Sequence, residues 1–128
     1  MDTTLSYKID VYRRLSIKKD LIELSQWIDI MVDMNTEIDH FKLINHQLIK
    51  NGSVAASLQG FRRKNTLIMG LLCKYEQELK KEHEYGKREY DFSRAKEHEK
   101  YRDQYGEIIE EFRQLKKVIY INLSKYKR

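Results

Sequence analysis

The sequence predicts an all-α protein, an elongated up-down-up bundle of three antiparallel helices with coiled-coil packing. Apolar residues recur three and four apart through three long stretches, the spacing of helices packed side by side. The 128 residues include no proline, so nothing forces a helix to break. The pattern is interrupted at Asn51-Gly52, two residues that accept the left-handed backbone with which helices end. Helices are expected over about 16–50, 54–85 and 92–126 within a bundle covering 16–128. At about 33 residues each and about 1.5 Å per residue, the rod is on the order of 50 Å long.

Residues 1–15 carry Leu5, Ile9, Tyr12 and Leu15 at helical spacing, but Arg13, Arg14, Lys18 and Lys19 blur the continuation. They are expected to form either an N-terminal arm or an extension of the first helix. That helix has Ile17, Leu24, Met31, Ile38 and Asn45 at heptad position a, and Trp27, Met34, Phe41 and Leu48 at d. Asp20 and Asn45 break the stripe. Leu21, Ile28, Ile30, Ile44 and Ile49 widen it, so it should touch two neighbours. Asn51-Gly52 closes the helix, and the hydroxyl of Ser53 is expected to cap the next one.

The second helix places Leu58, Asn65, Leu72 and Leu79 at a, with Val54, Phe61, Ile68 and Tyr75 at d. Its middle, 67–73, is apolar all round, which in a chain this small calls for a second covered surface. Leu67, Met69, Leu71 and Cys73 are the candidate interaction residues, and a two-fold contact between copies of this helix is the simplest cover. Gly60 and Gly70 each cost about 1 kcal/mol in a helix, a cost that close backbone approach would offset. Asn65 on the core stripe is expected to fix register at some expense of stability, so leucine there should stabilise, unless the amide has a partner such as His40 across the hairpin.

The stripe is lost from Glu82 to Glu89, where Gly86 marks a second connection, and Asp91 is a suitable N-cap for the third helix. That helix carries His98, Tyr105, Phe112, Ile119 and Tyr126 at a, with Tyr101, Ile108, Leu115 and Asn122 at d. Ile109, Val118, Ile121 and Leu123 flank them. The strings Glu37-Ile38-Asp39-His40-Phe41, Leu58-Gln59-Gly60-Phe61, Glu82-His83-Glu84, Arg102-Asp103, Phe112-Arg113-Gln114-Leu115-Lys116 and Leu123-Ser124-Lys125 resemble a group of short bacterial helical proteins of unknown function. The resemblance implies a helical bundle and no particular chemistry.

The formal charge of +5 is unevenly spread. Between Asp20 and Phe41 there are six acids and no lysine or arginine; from Phe112 to Arg128 there are six bases and no acid. Such segments either attract each other within an assembly or meet a charged partner. Arg62, Arg63 and Lys64 should lie near the end of the third helix, where Lys116, Lys117, Lys125, Lys127 and Arg128 gather with Tyr120 and Tyr126. A nucleic acid bound at that basic end is the alternative function.

Catalytic and cofactor chemistry finds little support in the residues. Glu37 and His40 give one Glu-x-x-His spacing, but the second copy that a di-iron bundle needs is missing, and both fall on the outside of the heptad. His98 alone points to the core, where a hydrogen-bonded structural role is the usual one. Cys73 lies in an apolar run that keeps a thiol inert. No catalytic residue, cofactor or metal is therefore expected. With one cysteine, no secretion signal in the opening residues and no apolar stretch of spanning length, the expected location is cytoplasmic, away from membranes. The sequence thus points to a non-enzymatic protein-protein interaction or scaffold protein, self-associating as a homodimer.

Overall fold

The computed structural model describes residues 3–126. Three helices follow one another: α1 (Thr3–Ile44), α2 (Gly52–Tyr85) and α3 (Phe92–Ser124), with a π turn at Asn45–Ile49 closing α1. The chain is an all-α, up-down-up three-helix bundle, as the heptad pattern predicts. Residues 3–15 form the extension of the first helix rather than an arm, because α1 runs unbroken from Thr3.

The predicted stripe forms the core. Ile17, Leu24, Met31 and Ile38 of α1, Leu58 and Leu72 of α2, and Ile108 and Ile119 of α3 are fully buried, and Trp27 is nearly so. Stacked rings join the layers: Trp27 lies against Tyr105 at 5.3 Å, and Phe61 against Phe112 at 5.1 Å. Some flanking residues expected to widen the face do not reach it. Ile30, Val118 and Ile121 are exposed, because each lies at or beyond the edge of the buried stripe of its helix. The d-position Leu48 and a-position Tyr126 are also exposed, since both stand where their helices end.

Polar residues in the stripe have specific partners. Asn45 clamps the first turn: its Nδ2 donates to the Asn51 carbonyl at 3.1 Å and its Oδ1 accepts from the Asn51 amide at 3.2 Å. Lys50, rather than asparagine or glycine, adopts the left-handed conformation there, at φ 54°. Asn51, rather than Ser53, caps α2 by accepting from the amides of Ser53 and Val54. The carboxamide reaches these amides from outside the helix, while Ser53 already belongs to its first turn. Asn65 does not meet His40, which is exposed. Its Nδ2 donates to the Met31 carbonyl and to Asn35 Oδ1, each at 3.0 Å.

The far end of the bundle is tied differently. Arg13, in the segment that blurs the sequence pattern, is buried, and its Nη1 donates to the Glu82 carbonyl at 2.6 Å, in the last turn of α2. A cation at that position complements the carbonyl end of the helix. Asp91 caps α3 by accepting from the Arg94 amide at 3.0 Å.

Candidate functional site

The apolar run of α2 is divided by its helix. At about 100° per residue, Leu67 and Leu71 fall on the outer side toward α3, while Met69 and Cys73 fall on the opposite flank. Leu67 is 67% exposed and Leu71 45%, whereas Met69 is half-buried against the core and Cys73 is a half-buried free thiol. Arg63, Leu67, Gly70, Leu71, Lys74 and Glu78 share one outward arc of about 100°. Next to them, Leu71 and Glu78 border a cleft floored by Tyr75 and Tyr101.

Among the described residues no neighbouring element approaches the α2 glycines. A β-carbon built at Gly60 or Gly70 would meet no atom within 4 Å. The close backbone approach expected to offset their cost is thus absent within the chain. Arg63 and Glu78 are both exposed, and neither forms an ion pair among the described residues.

Of the basic residues expected at one end, three are engaged and three stand exposed among the described residues. Arg62 pairs with Asp39 and donates to the Asn35 carbonyl at 3.2 Å. Lys64 pairs with Glu111, and Lys116 with Glu37 at 3.7 Å while lying 5.0 Å from the centre of the Phe112 ring. The acidic and basic stretches therefore meet inside the bundle, through Glu37 and Lys116. Arg63, Lys117 and Lys125 are exposed, and Lys127 and Arg128 lie outside the described residues. Glu37 and His40 do not converge on anything: Glu37 faces Lys116, and His40 points outward.

A polar cluster in the lower half of the bundle was missed by the sequence reading. Asp20 and Glu23 lie on α1, one turn apart, and His98 comes from α3. His98 and Asp20 are buried, and Glu23 is about one-third exposed at the rim. His98 Nε2 stands 2.6 Å from Glu23 Oε1 and 3.5 Å from Asp20 Oδ1, while Nδ1 stands 2.8 Å from the Tyr75 hydroxyl. Trp27 stacks on the imidazole at 5.2 Å. Tyr90, from the α2–α3 connection, donates to Asp20 Oδ2. Arg102 grips Glu23 through Nη2 at 2.7 Å and Nε at 3.2 Å.

The electrostatics follow from these partners. Burial pushes the Glu23 carboxyl up, but hydrogen bonds from Arg102 and His98 outweigh it and hold the group below the usual range. The Tyr75 phenol is raised by burial and then by the Asp20 charge, and Tyr90 by burial and its bond to Asp20, so both keep their protons. One signal in the sequence pointed here: Asp20 at d and His98 at a break the stripes of two different helices, and the breaks meet at the same level. The chain matches no family model, no curated protein and no solved structure. Among the described residues no helix is long and apolar enough to cross a membrane.

Proposed function

We propose that this chain is a non-enzymatic, cytoplasmic assembly module that pairs with a second copy through the outer face of α2. The observation that carries the reading is the juxtaposition of exposed Leu67 and Leu71 with the open glycine Gly70. Two apolar knobs beside a site with no side chain suit the close crossing of another helix. An antiparallel copy crossing between Gly70 and Leu71 sets Leu71 of each chain over Gly70 of the other. The same crossing brings Leu67 beside the aliphatic stem of Lys74 and puts Arg63 opposite Glu78, so an unpaired cation meets an unpaired anion twice across a two-fold axis. Gly70 then has a use that the single chain does not give it.

Charge reversal tests the pairing. Arg63→Glu and Glu78→Arg should each weaken the dimer about tenfold, and the double variant should restore it. Dimerisation unchanged by both single variants would remove α2 from the interface. The alternative, nucleic acid at the basic end, draws less support, because Arg62, Lys64 and Lys116 are already paired with acids of the same chain. It would require Arg63, Lys117 and Lys125, together with Lys127 and Arg128, to carry an affinity that falls steeply with salt.

A further inference from the structure

We propose that Asp20, Glu23 and His98 form a binding site for a divalent transition-metal ion of the zinc or manganese kind, joining α1 to α3. One ligand atom from each residue can be chosen so that all three lie within 4.8 Å of one another. His98 Nε2, Glu23 Oε1 and Asp20 Oδ1 are the natural set, since both carboxylate oxygens stand against the same imidazole nitrogen. Shifts of under about 1 Å bring them to the roughly 3 Å mutual spacing of ligands that stand about 2 Å from one ion.

Outer groups hold the ligand set, from behind at Asp20 Oδ2 and His98 Nδ1 and, at Glu23, through both carboxylate oxygens. Each of the three side chains is anchored by a group outside the set: Tyr90 on Asp20, Tyr75 on His98 and Arg102 on Glu23. Such outer partners fix the orientation and tautomer of metal ligands. Tyr75 suits either state of the imidazole. Its hydroxyl donates to Nδ1 while Nε2 carries a proton shared with the carboxylates, and it accepts from Nδ1 once Nε2 takes a cation. The charges also favour an ion, because two carboxylates face one guanidinium in a largely buried setting. Apolar residues at 20 and 98 would complete the core without desolvating a charge, so converging polar groups at both positions call for a role beyond packing.

The donor types select the ion. One imidazole nitrogen with two carboxylate oxygens suits borderline cations such as Zn²⁺, Mn²⁺ or Fe²⁺, in contrast to the thiolate sets of Cu⁺ and the all-oxygen shells of Ca²⁺. Glu23, at the rim, provides the way in and leaves room for water to complete the coordination. A bound ion would bridge α1 and α3, so its occupancy should register as stability.

The test uses the full chain after treatment with a chelator, titrated with Zn²⁺ by calorimetry and followed by thermal melting. The account predicts one ion per chain, a melting point raised by several degrees at hundredfold excess over Kd, and Co²⁺ absorption in the visible without a thiolate charge-transfer band. Asp20→Asn, Glu23→Gln and His98→Gln should each weaken binding by at least about tenfold. Glu23→Gln, at the exposed rim, keeps the test open should the buried variants fold poorly. The absence of heat and of any melting shift with the unmodified chain would overturn the proposal. So would binding that survives Glu23→Gln and the other folded variants, or a thiolate band assigning the ion to Cys73.

Discussion

The two faces of α2 are built from similar residues and used differently. On the inner face, Leu58, Leu72 and Leu79 are buried at heptad positions, Asn65 among them has defined partners, and Tyr75 stacks on Tyr101 at 4.0 Å. On the outer face, Leu67 and Leu71 stand in solvent beside glycines that no neighbouring element among the described residues approaches. An apolar residue therefore has its meaning set by its angle on the helix rather than by its hydrophobicity. The inner leucines act on the stability of one chain, and the outer ones are available for association.

The largest expected effect marks the inner face. Leu72→Ala, at a site with no solvent contact, should cost about 2 to 5 kcal/mol in chemical denaturation. Leu67→Ala should move the stability of the single chain by less than about 0.5 kcal/mol. Comparable losses from the two would erase the distinction between the faces. Next in size is Asn65→Leu. Because its amide donates to Met31 and Asn35, leucine should now destabilise by about 1 to 2 kcal/mol, the reverse of what an unpartnered core asparagine would give.

A smaller effect separates the glycines. Gly70→Ala and Gly106→Ala should each stabilise the single chain by up to about 1 kcal/mol, since a β-carbon meets nothing at either position. Only Gly70→Ala should weaken self-association, because only that glycine lies at the proposed crossing. Equal effects of both variants on association would argue against a crossing there. A last effect is invisible at neutral pH. Tyr75, Tyr101 and Tyr105 all have raised phenol pKa values through burial, against an ordinary value of 10.0. The unfolded chain would ionise first, so stability should hold below pH 10 and fall as pH rises above it. Melting curves across that range, with Tyr105→Phe reducing the loss, check the sign.

Much of the fold was legible because the heptad is a periodic signal carried by many residues at once. Ile17, Leu24, Met31 and Ile38 declare one helix face whichever neighbour covers it. The expected stop at Asn51-Gly52 marks the start of α2, but α1 already ends at Ile44 and Lys50 takes the left-handed backbone, since where a helix unwinds and which carboxamide caps the next depend on local backbone that only the folded turn fixes. The polar cluster was harder to read because its members stand up to 78 residues apart, from Asp20 to His98. Asp20 looked like a flaw in one stripe and His98 like a lone histidine in another. Only the parallel register of α1 and α3 brings them together. The outer face of α2 was legible as an apolar run, yet its division into Leu67 with Leu71 on one flank and Met69 with Cys73 on the other needed the helix phase against the core.

If the outer face of α2 joins two copies, the mass in solution should double. Light scattering of the unmodified chain from one to about a hundred micromolar should report about twice the 15.6 kDa chain mass at the upper end, declining on dilution. Leu67→Glu should hold the protein at a single chain throughout while leaving its helical signal and melting intact. A mass of one chain at every concentration for the unmodified protein, or an undiminished dimer in Leu67→Glu, would contradict the account.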